Sequence, residues 1–292
     1  MVAIDHERTN THIIGGWVQD VMYDSNGDMV MRLGAVFGVP TMTAFWLFQF
    51  FAVAYLLFEV EKTKIKWMWL LVCVSFLYPI YLTLSRSTWI ACFILLFSYN
   101  LLKGRLGKIF VLLIGIASMV VVLLPNVVLR FQDVTNYLNR FELWIGYVKA
   151  LNAGGLLSWL FGLGWMNLAD KNSWDMYDPY VMGTAENSFL FVSAGVGITS
   201  LLLFLAIFTK IALCSWQLKG VKKDSFISDL GIWTFSMLGC WVAMSMVGDM
   251  VTYVVINWYW YAFFGWTLAL AGKKSKDNIW TINTEEEYHE GK

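Results

Sequence analysis

Long apolar runs alternate along this chain with short polar segments. An α-helix needs roughly 20 mostly apolar residues to cross about 30 Å of hydrocarbon, and seven runs approach that length. These runs lie at 41–60, 67–84, 87–102, 109–127, 188–209, 228–248 and 251–271. The pattern therefore predicts an all-α fold, a polytopic integral membrane helical bundle with about seven spans.

The composition is typical of a membrane protein. It gives no indication of a nucleic-acid site and excludes a histidine-based metal site among the spans. The chain is 58% hydrophobic and 14% charged, whereas soluble domains are nearer to about 25% charged. Its net charge is zero, so no basic field indicates a nucleic-acid partner. The histidines, His6, His12 and His289, lie near the termini, which excludes a histidine-based metal site among the predicted spans.

The distribution of Lys and Arg predicts which loops face the cytoplasm. Of the 21 Lys and Arg residues, 14 lie in the connections 61–66, 103–108 and 210–227 and in the tail after residue 272. The positive-inside rule places these segments in the cytoplasm. The C-terminus is then cytoplasmic, and the N-terminus faces the outer side.

This topology divides the chain into three parts. We expect an outer N-terminal segment (1–35), a membrane domain (36–272) that includes a long outer loop (128–187), and a cytoplasmic tail (273–292). A loop of that length is too long for a simple connection, so we expect it to be functional.

The outer loop itself is predicted to contain an amphipathic helix that lies along the membrane interface. Its apolar residues recur at spacings of three and four: Tyr137, Phe141, Trp144, Val148 and Leu151. The following residues, 155–165, are too few to span a bilayer and are interpreted as re-entrant or interfacial.

A serine-arginine pair, Ser85-Arg86, falls at the predicted outer junction of the second and third spans. Arginine is costly in a bilayer, and its planar guanidinium can bind phosphate through two hydrogen bonds. The alternative is an arginine that extends to the lipid headgroups while its stem stays in the apolar layer.

Two further groups of residues belong to the outer loop. Arg140 and Trp144 are four residues apart, hence on one helical face, where they can either bind a substrate or anchor the helix at the interface. Glu186-Asn187 opens the fifth span. A carboxylate there can be a favourable partner of the helix dipole or a general base.

The order of these local sequences resembles the O-antigen ligase and polymerase family of bacterial membrane glycosyltransferases, over roughly residues 30–270. The matching segments are Arg32 to Pro40 (RLGAVFGVP), Ser85-Arg86, Arg140 to Trp144 (RFELW) followed by Gly162-Leu163-Gly164, and Glu186 to Phe189 (ENSF) with Gly195-Val196-Gly197. The resemblance implies a GT-C-like membrane fold.

The resemblance also implies an activity and a site. The expected function is a polymerase of polyprenyl-diphosphate-linked oligosaccharide repeat units at the outer leaflet of the bacterial inner membrane. The implied catalytic residues are Glu186, Arg86 and Arg140. The implied substrate-binding residues are Arg32, Ser85, Trp144, Gly162, Gly164, Trp165 and Asn187. No cofactor or metal is expected, because polyprenyl diphosphate is already a good leaving group. The expected partners are the lipid-linked oligosaccharide, membrane lipids and other polysaccharide-assembly proteins.

Several alternatives remain open. Family ligases carry histidine where this chain has Glu186, which favours a polymerase over an O-antigen ligase. A transporter of lipid-linked sugars is a further alternative, although transporters place charged or helix-breaking residues at mid-membrane in paired repeats. Family members also have helices before the Arg32 segment, so the sequence favours a fragment of a longer protein.

Overall fold

The computed structural model describes residues 12–14, 17–23, 29–35, 40–83, 85–111, 113–115, 134–164, 187–221, 225–246 and 259–273. Within these ranges the strands are β1 (His12–Ile14), β2 (Trp17–Tyr23) and β3 (Met29–Ala35). The helices are α1 (Pro40–Val60), α2 (Lys66–Leu82), α3 (Arg86–Leu102), α4 (Leu106–Gly115), α5 (Val134–Ala153), α6 (Gly155–Phe161), α7 (Ser188–Lys219), α8 (Ser225–Ser245) and α9 (259–273).

The N-terminal segment contains a small sheet that the all-α prediction lacked. Its three strands are antiparallel in the order β1-β2-β3, with Tyr23 opposite Met29 and Asp20 opposite Arg32. These strands are rich in β-branched, aromatic and methionine residues, which fit a pleated surface. Arg32 lies on β3, and α1 begins at Pro40. The role of Arg32 in substrate binding stays a prediction.

The predicted helical character is confirmed for the described residues from Pro40 onward, and three helices among them support the membrane assignment at a coarser level than seven spans. Three described helices are long and apolar enough to cross a bilayer: Thr41–Val60, Ser188–Lys219 and Phe226–Ser245. The predicted spans 67–84 and 87–102 correspond to α2 and α3, which have 17 residues each. The spans predicted at 109–127 and 251–271 are described only in part.

Helix α7 is longer than a bilayer requires, and a break at Gly197 divides it. Backbone angles of φ 88° and ψ 168° at Gly197 interrupt the helix. At ~1.5 Å per residue the part after Gly197 is roughly 33 Å long, close to the hydrocarbon thickness. The predicted span 188–209 therefore runs across a break that the sequence pattern did not reveal.

The core is formed where α1, α3, α8 and α9 pack together. Trp233 of α8 is fully buried, and its Nε1 donates to the Ala52 carbonyl of α1 at 2.8 Å. Cys240 Sγ of α8 contacts the Ala91 carbonyl of α3 at 3.2 Å, which sets α8 directly against α3. Trp241 is also fully buried, and its ring lies 4.7 Å from that of Phe208 on α7. Large aromatic residues thus tie the core helices together.

Replacing the central tryptophan tests this packing. We expect Trp233→Phe to lower the free energy of unfolding by about 2 kcal/mol, because it removes a buried donor and leaves a smaller ring. Thermal unfolding of the purified protein in detergent measures the effect. Trp216→Phe is the matched control, since Trp216 is half exposed on α7. An equal loss in the two variants would contradict the central role of Trp233.

Candidate functional site

The start of α7 is fixed by Asn187. Its backbone is extended, and its Oδ1 accepts hydrogen bonds from the backbone amides of Phe189 (3.0 Å) and Leu190 (3.1 Å). Such a cap satisfies amides that have no partner in the first turn of a helix. Its Nδ2 donates to the Met246 carbonyl at the end of α8, at 3.3 Å. Asn187 therefore joins the start of α7 to the end of α8, a structural role that the sequence analysis missed.

A second feature of this region is the clasp, which we define as the contact between residues 160–164 and α7 around Gly197. In an unbroken helix, the carbonyls of Ala194 and Gly195 would bond to amides four residues later. Here the Ala194 carbonyl accepts from the Leu163 amide at 2.7 Å, and the Gly195 carbonyl accepts from the Gly164 amide at 3.1 Å. The clasp therefore attaches the end of α6 to the broken part of α7.

The glycines of the clasp are required by its geometry. Gly162 has φ 80°, and a Cβ at this position would lie 2.5 Å from the Gly195 carbonyl oxygen. Gly197 has φ 88°, and its Cβ would lie 2.1 Å from the Leu160 carbonyl oxygen. Both positions combine a backbone conformation favoured by glycine with a close approach of two backbones. The structure gives Gly162 and Gly164 a role in packing, and their binding of substrate stays a prediction.

Helix α5 packs against the first turns of α7 beside the clasp. Tyr147 and Leu151 of α5 form a buried cluster with Phe191 and Ala194 of α7. The predicted amphipathic helix is confirmed as a helix, but its predicted apolar face is only partly correct. Of the predicted residues, Leu151 is buried, whereas Phe141 and Val148 are exposed. The buried side is centred on Tyr147, which was not in the predicted stripe.

The predicted pair Arg140 and Trp144 lies on this same helix. Arg140 is one turn before Trp144, and the Trp144 ring makes an edge-to-face contact with Phe141 at 5.3 Å. Trp144 is partly buried. The side chain of Arg140, together with Trp165 and Glu186, lies outside the described residues, so the roles of these three residues stay predictions.

The start of α3 carries several hydroxyl side chains that flank Arg86 in the sequence. Ser85 Oγ lies 3.2 Å from Ser87 Oγ and 3.1 Å from Thr88 Oγ1, and the Ser85 amide donates to Thr83 Oγ1 at 3.3 Å. Thr83, Ser85 and Thr88 are buried, and Arg86 is partly buried. Hydroxyls and a guanidinium are both donors to phosphate oxygens. Ser85 and Arg86 were predicted from the sequence, whereas Thr83 and Thr88 were not. Their positions two residues before and three residues after Ser85 are the signal that could have identified them.

These groups lie at one end of the bundle. Ala91 of α3 contacts Cys240 of α8, so Arg86, about a turn and a half earlier on α3, lies near the end of α8. Asn187 contacts Met246 at that same end. The clasp and α5 are attached to the first turns of α7, which begins at Asn187. The structure thus brings Ser85, Arg86, Trp144, the two glycines and Asn187 to the same end of the bundle.

Comparison with known proteins adds no assignment, because no family model and no curated protein matches this chain.

The clasp can be tested by adding one methyl group. We expect Gly162→Ala to lower the free energy of unfolding by about 2–3 kcal/mol, because the Cβ meets the Gly195 backbone and alanine is strained at positive φ. Hydrogen exchange measures whether the Leu163 and Gly164 amides lose protection. Gly265→Ala is the control, since a Cβ on Gly265 meets nothing within 4 Å. Unchanged protection in Gly162→Ala would contradict the packing role.

The two functions of Asn187 can be separated with two substitutions. Asn187→Asp keeps the acceptor for the first turn of α7 and removes the donor to Met246, whereas Asn187→Ala removes both. We expect Asn187→Ala to expose the Phe189 and Leu190 amides to exchange and to cost about 1–2 kcal/mol of stability. Asn187→Asp should keep those amides protected. Equal exchange in the two variants would show that the cap contributes nothing.

Proposed function

We propose that this chain is a membrane glycosyltransferase that polymerises polyprenyl-diphosphate-linked oligosaccharide repeat units. The proposal rests on one observation in particular. Arg86 and the neighbouring hydroxyls lie at one end of an apolar helical bundle. The capped start of α7 at Asn187 lies at the same end. A lipid-linked substrate requires this combination, because its sugar reacts at the membrane surface while its tail stays in hydrocarbon.

In the proposed reaction, Arg86 stabilises the leaving group. The acceptor sugar hydroxyl attacks the anomeric carbon of the donor glycan, and the bond from that carbon to the diphosphate oxygen breaks. Negative charge then accumulates on the departing polyprenyl diphosphate. A guanidinium stays charged at any working pH and donates in a planar fork that matches phosphate oxygens. The buried hydroxyls of Ser85 and Thr88 neighbour Arg86 in the chain and hydrogen-bond to each other, so their positions are preorganised, which favours stabilisation of developing charge.

Glu186 is the proposed general base. It immediately precedes Asn187 in the sequence, so the cap that fixes the start of α7 also fixes the chain next to Glu186. A carboxylate there accepts the proton of the acceptor hydroxyl as the new glycosidic bond forms. Arg140, on the helix that packs against the first turns of α7 through Tyr147 and Leu151, is the proposed second cation for the diphosphate.

The proposed location is the bacterial inner membrane, with this end of the bundle at the outer leaflet. The excess of Lys in the opposite connections supports that orientation through the positive-inside rule. The three long apolar helices support a membrane location.

The function is tested by expressing the chain in bacteria that lack their own polysaccharide polymerase. We expect the wild-type chain to restore a ladder of surface polysaccharide on an electrophoretic gel, and Glu186→Gln to abolish the ladder at equal protein level in the membrane. Glu142→Gln makes the same chemical change at an exposed position of α5 and should leave the ladder intact.

Three other outcomes of this complementation experiment would change the proposal. A ladder that survives in Glu186→Gln removes Glu186 from the mechanism. A single capped species in place of a ladder indicates a ligase. No product from stably inserted wild-type protein contradicts the proposal for this chain and this substrate.

A further inference from the structure

At the end of the bundle opposite to Arg86, positively charged side chains from other segments come together at the last turn of α1. The Glu59 carboxylate is almost fully buried and forms ion pairs with Arg105 and with Lys108, the latter at 2.8 Å. Nearby, Lys103 at the end of α3 pairs with Asp229 of α8. Since Glu59 and Asp229 are buried charges, pairing is what makes their burial tolerable.

The Phe58 ring at this same turn has two ammonium groups over it. Lys66 Nζ, from the start of α2, is 5.3 Å from the ring centroid, and Lys108 Nζ, from the start of α4, is 5.8 Å from it. Each contact is favourable by itself, because an aromatic face attracts cations. Two like charges that share one ring also repel each other, so an anion near them would be stabilised.

The carboxylates described at this end are already engaged. Glu59 and Asp229 pair with cations as above, and Glu61 Oε1 accepts from the Thr63 amide at 2.8 Å. Burial, and then the positive charge of Arg105, lowers the pKa of Lys103 below its ordinary value. The four cations that pair with Glu59 and Asp229 or lie over Phe58 outnumber these three carboxylates, so the electrostatic potential around Phe58 is positive.

Exposed apolar side chains adjoin this positive site on both flanks. On α2, Trp67 and Leu71 are 64% and 70% exposed, and on α4, Leu106 and Phe110 are 69% and 65% exposed. In a bilayer such side chains face hydrocarbon. A ligand that satisfies both features therefore carries an anionic group joined to hydrocarbon chains, which is the description of an anionic phospholipid.

We propose that Lys66 and Lys108, set over Phe58, bind the phosphate of an anionic membrane phospholipid whose acyl chains lie along α2 and α4. A lysine ammonium is a compact charge that binds phosphate as a point cation. The occupant is a lipid and not a soluble phosphate, because the exposed apolar side chains continue directly from the cations. The site is independent of the proposed transferase reaction, since it lies at the other end of the bundle.

Lipid binding can be measured on the purified full chain by native mass spectrometry and by thermal unfolding. We expect phosphatidylglycerol to bind and to raise Tm, and phosphatidylcholine to do so much less. Lys66→Gln should weaken phosphatidylglycerol binding about fivefold, the contribution of one basic residue at an anionic surface. Lys66 is the residue of choice because its substitution leaves the Glu59 ion pairs intact, and Lys66→Arg should restore binding.

The matched control is Lys219→Gln. Lys219 also lies over an aromatic ring, that of Trp216 at 4.1 Å, but among the described residues no second ammonium group lies over that ring. We expect this variant to bind phosphatidylglycerol as the wild type does.

Three results would overturn the proposal: equal binding of the two lipids, equal binding by wild type and Lys66→Gln, or equal stabilisation by inorganic phosphate at the same concentration. None of these measurements involves polysaccharide synthesis, so the lipid site and the proposed activity stand or fall separately.

Discussion

Where α7 breaks at Gly197, two backbone carbonyls lose their helical partners in a part of the chain that is otherwise strongly apolar. An unpaired peptide group costs several kcal/mol in an apolar medium, so a broken membrane helix persists only where other groups satisfy it. Leu163 and Gly164 supply the missing donors, and the close approach admits only glycine at 162 and 197. The position of α6, and with it that of Gly162 to Gly164, depends on this exchange of hydrogen bonds.

The same end of the bundle is held from the other side by Asn187. The Asn187 side-chain amide caps α7 and also donates to the Met246 carbonyl at the end of α8. Helix α3 packs against α8. The start of α3 carries Arg86 and the hydroxyls of Ser85 and Thr88. A site for a charged diphosphate needs donors that do not rearrange during the reaction. Helix ends fixed by hydrogen bonds meet that requirement better than a free loop, and the proposed chemistry is assigned to this end for that reason.

The two ends of the bundle differ in how they handle charge. At the proposed catalytic end, Arg86 lies in a segment rich in hydroxyls, those of Thr83, Ser85 and Thr88. At the opposite end, buried carboxylates pair with Arg105, Lys108 and Lys103, and the remaining positive charge gathers around Phe58. One arrangement suits a diphosphate that arrives and leaves, and the other suits a resident anionic lipid.

The sequence by itself predicted the helical, apolar character of the described spans and the approximate limits of their helices, because the length and apolarity of a run are local properties. It also placed a helix over the predicted amphipathic stretch and identified Arg86 as an unusual charge. It did not reveal the N-terminal sheet, although Gly15-Gly16 and Asn26-Gly27 are residue pairs that hairpin connections favour. Only the tertiary structure decided that Gly162 and Gly164 serve a backbone contact, that Tyr147 faces the core, and that Asn187 reaches Met246. Each of these depends on which distant backbone or side chain comes close, and a local pattern carries no information about that neighbour.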